Sequence, residues 1–309
     1  MSALLEEVEA EFQAAFDVSL PNVSDSLEGQ LTAGAEIDAI VFSLDVQMDS
    51  GRIASLPESV RAIATYSVGT DHIDLEAARA RGLAVFNTPG VLADSVAENA
   101  IFLMLGAARR GTESINLIRE RSWTGWSPRQ LVGVQLSGRK LGILGMGDIG
   151  LRVAARAEAL GMEILYSNRR PPLAGQPWAA GYRETAIDLV RESDVLLLAC
   201  PSTHETRGIV DAALLAEAKS EMILVNIARG DLVVDEDLIS ALAGRKIWAA
   251  ALDVFAGEPN LDSRYFELPN VFMVPHIGSS TIEARLGMGR ILIDALLGWR
   301  RGETVPNQV

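Results

Sequence analysis

Residues 140–150 read KLGILGMGDIG, and the next ten, LRVAARAEAL (151–160), have helical periodicity. An apolar strand, a glycine turn with G-x-G-x-x-G spacing and a helix start together form the signature of a dinucleotide-binding βαβ unit. Each glycine has a separate task. Gly145 allows the tight turn, Gly147 lets a pyrophosphate approach the backbone, and Gly150 lets the helix pack on its strand. Met146, Asp148 and Ile149 fill the turn and open the helix, whose free N–H groups and positive end suit phosphate.

Working outward from this turn, strand patterns recur at Lys140–Leu144, Glu163–Ser167, Val195–Ala199, Ile223–Ile227, Ala249–Val254 and Val271–Val274, with helical patterns in most gaps. Six strands in this rhythm predict a Rossmann-type, doubly wound parallel sheet made of two mononucleotide-binding halves. A second, smaller alternation precedes it. Ile37–Leu44, Ala62–Ser67 and Ala84–Asn87 read as buried strands, with a helix at Leu75–Arg81. A long helix is expected over Ser95–Arg110, capped by the Asp94–Ser95 pair, with Ala97, Ile101, Leu105 and Ala108 on its apolar face. Residues 111–135, with Trp123, Trp126 and Pro128, break the rhythm, and a last helix covers Thr281–Trp299. The expectation is a two-domain α/β chain.

Composition narrows the function. The chain has 309 residues, enough for two ordinary domains, and a 49% apolar, 22% charged mix typical of globular proteins. Its net charge of −14 repels phosphate backbones and anionic lipid, so nucleic acid and membrane surfaces are poor partners. The single cysteine, Cys200, allows no intrachain disulfide and argues against a thiolate metal site. The acidic N-terminus lacks a secretory pattern, and no apolar run reaches the ~20 residues that span a bilayer. A cytoplasmic protein without a metal is expected.

The second strand runs into EILYSNRRPP (163–172). An NAD-binding unit usually places an acidic side chain here for the ribose 2′-hydroxyl. Ser167 and Asn168 stand there instead, followed by Arg169 and Arg170. The turn has no carboxylate to repel a 2′-phosphate and two guanidinium groups to pair with one, in a chain that is otherwise strongly acidic. This favours NADPH over NADH. Three further polar residues lie just past predicted strands: Arg229 in VNIARGDL, Glu258 in DVFAGEP and His276 in VPHIGSST. That is the sheet edge where open α/β folds place their ligands.

Six stretches taken together carry a resemblance: SVGTDHIDLEAARARGLAVFNTPG (67–90), DSVAENAIFLMLGAARR (94–110), LGILGMGDIG, NIARGDLVVDEDLISAL (226–242), ALDVFAGEP (251–259) and VPHIGSST (274–281). In this order, across nearly the whole chain, they resemble the D-isomer-specific 2-hydroxyacid dehydrogenases. The resemblance implies a flavodoxin-like substrate domain from both ends of the chain (1–97 and 282–309), with the dinucleotide domain (98–281) inserted. It puts hinges near 95–100 and 276–284 and a cleft that closes on substrate.

The family's catalytic set falls on Arg229, Glu258 and His276. His276 would protonate the carbonyl oxygen, Glu258 would favour the charged imidazole, and Arg229 would hold the substrate carboxylate. Val68 and Gly69 match the loop whose backbone N–H groups grip that carboxylate. Further cofactor contacts are implied at Cys200, Pro201, Ile227, Ala228, Asp253 (orienting the nicotinamide amide), His276 and Gly278. His72 and His204 fall on no catalytic position, and surface or capping roles are expected.

The paired-Arg turn and the chain length resemble the NADPH-dependent glyoxylate and hydroxypyruvate reductase branch. Reductases of 2-ketogluconate or arylpyruvates, and a dinucleotide-sensing corepressor, stay open as alternatives. A homodimer is implied, in which Trp123 and Trp126 either reach a partner's active site or pack at the interface.

Overall fold

The computed structural model describes residues 4–19, 36–171, 175 and 177–309. They divide into two compact units, one of residues 1–92 and 280–309, the other of residues 93–279.

In the first unit β1 (Ala39–Phe42), β2 (Ala62–Thr65) and β3 (Ala84–Phe86) form a parallel sheet in the order β1-β2-β3. Two short helices, α2 (Ser50–Ser55) and α3 (Leu75–Ala80), are capped by Asp49 and Asp74, whose carboxylates accept N–H groups of the first turn. Ile40, Phe42, Met48, Ile63 and Val85 belong to one buried cluster. Helix α1 (Glu6–Ala15) packs on the last helix, α10 (Ile282–Arg300), which Thr281 caps through Ala284 N–H. Gly289 makes this packing close, since a Cβ there would lie 2.6 Å from Val8.

The second unit is one six-stranded parallel sheet of β4 (Lys140–Leu144), β5 (Glu163–Ser167), β6 (Val195–Leu198), β7 (Ile223–Asn226), β8 (Ala249–Leu252) and β9 (Val271–Met273). The order is β5-β4-β6-β7-β8-β9, so the chain reverses direction of travel between β4 and β6. The six strands predicted from sequence are the six of this sheet, with β5 and β4 on one side of the switch point and β6 to β9 on the other. The third strand of the first half shrinks to a single bridge, Tyr166 to Tyr182, and β9 extends the far edge. β6, β7 and β8 are buried at every position, which is why VLLL, ILVN and AAAL read as continuous apolar runs.

Helix α4 (Ala93–Ala108) begins two residues before the expected start. Asp94 is therefore not a cap. It lies in the first turn and pairs with Arg152 and Arg156 of α6 (Asp148–Ala159). Its buried face runs through Val96, Ala97, Ala100, Leu103, Met104 and Ala107, whereas Phe102 and Leu105 are exposed. Periodicity alone did not distinguish these faces because α4 is apolar nearly all round. The segment read only as a break contains another helix, α5 (Gly111–Arg119), which buries no side chain. The remaining helices of this unit are α7 (Ala186–Glu192), α8 (Ala212–Ala216) and α9 (Asp235–Ala243).

Register puts the strand ends side by side. Leu144 pairs with Leu198, Leu198 with Asn226, Asn226 with Leu252, and Leu252 with Met273. The residues that follow each strand therefore leave the sheet along one edge.

Candidate active site

The glycine turn does what its sequence demands. Gly145 has φ +103°, and a Cβ there would lie 2.5 Å from the Cys200 backbone nitrogen. A Cβ on Gly150 would lie 2.5 Å from the Gly145 carbonyl oxygen, whereas one on Gly147 would meet nothing within 4 Å. The open side at Gly147 adjoins the first turn of α6, which no side chain caps. An uncapped helix start behind an open glycine fits a pyrophosphate. Cys200 is buried against this turn, and burial pushes its thiol up to about 11, so it stays neutral.

The end of β5 is more differentiated than the sequence suggested. Ser167 is buried, and its carbonyl accepts the Gly145 N–H. The Asn168 side chain turns back onto the glycine loop, where Oδ1 accepts the Met146 N–H at 2.7 Å. Arg169 and Arg170 are exposed, and neither has a hydrogen bond or ion pair among the described residues. Of the four residues assigned to this turn, the two arginines are the exposed ones. Asp148 points its carboxylate to Arg152 of the same helix. Pro201 is exposed, Ile227 is buried, and the Ala228 N–H is held by Asn226 Oδ1.

Arg229, Glu258 and His276 come together at the ends of β7, β8 and β9. His276 Nδ1 and Glu258 Oε2 are 2.8 Å apart, and Glu258 Oε1 accepts the Phe255 N–H at 2.7 Å. Burial pushes the Glu258 carboxyl up, but the hydrogen bonds from His276 and Phe255, with the charges of His276 and Arg229, outweigh it and hold the carboxyl below its ordinary range. Glu258 is thus a carboxylate and accepts a hydrogen bond from Nδ1–H. Nε2 is left without a partner among the described residues.

Two residues that hold this set together were not singled out from sequence for that role. Gly230 follows Arg229, and a Cβ on it would lie 1.9 Å from the Phe255 carbonyl carbon. The loop carrying Arg229 therefore lies directly on the loop carrying Glu258. Asp253 is 1% exposed and its carboxylate accepts the Ile277 N–H at 2.7 Å and the Gly278 N–H at 2.9 Å. Burial raises the Asp253 carboxyl above its ordinary range despite these bonds. Gly278 has both backbone groups engaged, since its carbonyl accepts the Ser95 hydroxyl. The signal available in sequence was small: a glycine after Arg229 and an Asp one residue past a strand.

In the first unit, Val68 and Gly69 lie in a half-exposed loop after β2. His72 is not at the surface as expected. It is buried, edge-on to Phe42, with Nε2 2.8 Å from the Thr65 hydroxyl. His204 is exposed. Trp123 and Trp126 are 52% and 82% exposed. Among the described residues, no group of three or more His, Cys, Asp or Glu could hold a metal ion. Likewise, no helix there is long and apolar enough to cross a membrane.

Comparison with known proteins gives this arrangement a family. Residues 101–278 match the model of the D-isomer specific 2-hydroxyacid dehydrogenase, NAD binding domain. The chain belongs to the D-isomer specific 2-hydroxyacid dehydrogenase family. Similarity extends beyond the matched domain. A glycerate dehydrogenase of Hyphomicrobium methylovorum is 40% identical over 278 residues, covering 88% of this chain and 86% of that protein. A glyoxylate reductase of Thermococcus kodakarensis is 41% identical over 279 residues, covering 89% and 83%. Among solved structures, an NADPH-dependent glyoxylate/hydroxypyruvate reductase of Sinorhizobium meliloti, in complex with NADP and malonate, superposes with a TM-score of 0.82. It is 31% identical and covers 91% of this chain and 87% of that one. Membership makes the chain an NAD(P)-dependent 2-hydroxyacid dehydrogenase.

Proposed function

We propose that this dehydrogenase reduces small 2-keto acids, glyoxylate and hydroxypyruvate first, to 2-hydroxy acids, with NADPH preferred and NADH as second choice. The observation that carries the reading is the His276–Glu258 hydrogen bond beside Arg229, a proton donor and its partner next to a cation for the substrate carboxylate.

A nicotinamide cofactor bound at Gly145–Gly150 supplies the hydride. His276 Nε2 gives its proton to the keto oxygen, and Glu258 stabilises the charged ring beforehand. Arg229 binds the substrate carboxylate and polarises the carbonyl. The backbone N–H groups of Val68 and Gly69 are a further grip for a substrate carboxylate. Asp253 orients the carboxamide of the nicotinamide by accepting its N–H. Arg169 and Arg170 pair with the 2′-phosphate. The NADP complex of the S. meliloti reductase and the names of the relatives support the cofactor and substrate class.

A homodimer in the cytoplasm completes the reading. Phe102, Leu105, Ile115 and Ile118 are large, apolar and exposed on two consecutive helices, a combination that marks association surfaces. The deciding assay is steady-state turnover of purified protein across ~20 keto acids with each cofactor. Absence of turnover throughout refutes the proposal.

A further inference from the structure

The loop after β2 is tied down at three successive carbonyls. Thr88 N–H donates to the Ser67 carbonyl at 2.9 Å. Asn87 Nδ2 donates to the Val68 carbonyl at 2.9 Å, and the Ser67 hydroxyl donates to the Gly69 carbonyl at 2.7 Å. A peptide unit is planar and trans, so each N–H points away from the carbonyl of the preceding residue. Fixing these three carbonyls therefore fixes the directions of the N–H groups of Val68, Gly69 and Thr70. None of the three N–H groups donates to a partner among the described residues.

Behind this loop runs a buried chain of hydroxyls. The Ser67 and Thr65 hydroxyl oxygens are 2.8 Å apart, and Thr65 Oγ1 is 2.8 Å from His72 Nε2. Thr65, Ser67 and His72 are all buried. Because Ser67 spends its proton on Gly69, it accepts from Thr65, and Thr65 in turn accepts from His72 Nε2–H. The chain runs one way, from imidazole to the Gly69 carbonyl, so each bond polarises the next. Burial makes every member expensive to leave unpaired.

We infer that His72, Thr65, Ser67 and Asn87 are positioning residues that preset the Val68–Thr70 backbone as an anion cradle for a 2-keto acid carboxylate, with Thr70 N–H as a third donor. The inference rests on the reading of Val68 and Gly69 as the carboxylate grip. A row of backbone N–H groups held in place before binding needs no reorganisation when the anion arrives. A loop without these ties would turn the same N–H groups to water or to other carbonyls.

The test uses the whole chain and two variants, Thr65→Val and Ser67→Ala, with Thr65→Ser as the conservative control. Keto-acid KM is measured, along with calorimetric binding of oxamate, an unreactive 2-keto acid mimic, to the enzyme–cofactor complex. Cofactor Kd is measured separately by fluorescence. The expected result for both Thr65→Val and Ser67→Ala is a rise of about tenfold or more in keto-acid KM and oxamate Kd, the size of one lost buried hydrogen bond. Cofactor Kd stays unchanged, and Thr65→Ser recovers the wild-type values. Folded variants with unchanged oxamate affinity overturn the inference, as does a Thr65→Ser variant as impaired as Thr65→Val. If Thr65→Val does not fold, Ser67→Ala decides alone. A wild-type enzyme that turns over keto acids while the variants are unaffected leaves the proposed function standing. A wild type inert to all of them removes both.

Discussion

The backbone N–H of His276 donates to the carbonyl of Asp253 at 2.8 Å, and the Asp253 carboxylate takes the next two N–H groups. His276 is held by these bonds with φ +51°, a left-handed conformation uncommon for a residue with a side chain. One buried carboxylate at the end of β8 thus sets the turn after β9. The ring is then fixed at its other end by Glu258.

If His276 is the proton donor, His276→Ala should lower kcat by ~10²–10⁴ while cofactor affinity changes little. Single-turnover measurement of the hydride step checks this. An unchanged rate moves the donor elsewhere.

Glu258→Gln should lower kcat about 10- to 100-fold, the factor carried by a lost charge-assisted hydrogen bond of ~1.5–3 kcal/mol. Stability gives a second readout with a defined sign. The folded protein holds the Glu258 carboxyl below its ordinary 4.5, so its contribution is present above that value. It is lost as pH falls through the lowered folded value. The Tm difference between wild type and variant should hold near neutrality and shrink in this acid range.

Arg169 and Arg170 discriminate cofactors if the 2′-phosphate lies between them. Changing both to Ala should raise KM for NADPH about 10- to 100-fold and that for NADH far less. The wild-type preference should also weaken with salt, because exposed charges are screened within about 10 Å at 0.1 M. Equal changes for both cofactors would refute the assignment.

Gly230→Ala places a methyl group where a Cβ has 1.9 Å to the Phe255 backbone. Overpacking of this kind costs ~1–3 kcal/mol, and relief requires the Arg229 loop to move off the Glu258 loop. We expect a lower Tm and, in the protein that remains folded, a lower kcat. Thermal melts with parallel rate measurements separate the two.

Ile118→Glu puts a charge on the exposed apolar surface of α5. Analytical ultracentrifugation should show a wild-type mass of twice 33.1 kDa and a variant shifted toward the single chain. A wild type that sediments as a single chain refutes the dimer.

Much of the site was legible because strand ends declare themselves. A glycine turn after KLGIL, and polar residues after ILVN, AAAL and VFM, sit where the register of the sheet must bring them together. What was not legible has a physical reason in each case. The buried face of α4 could not be told from its exposed face because Phe102 and Leu105 are as apolar as Leu103 and Met104. Helix α5 buries nothing, so no core-facing stripe announced it. His72 looked like a surface residue because its hydrogen-bond partner, Thr65, lies seven residues back on β2, a contact that local spacing does not announce. The Asn168 side chain serves the glycine loop, a contact between strands that linear spacing does not reveal.

Arg229, Glu258 and His276 all belong to the unit of residues 93–279, fixed by Gly230 and Asp253 of that same unit. If the proposed roles hold, the whole proton-transfer apparatus is encoded in one stretch of chain that folds as one unit. Changes made outside that stretch then leave these three side chains and the backbone that supports them in place.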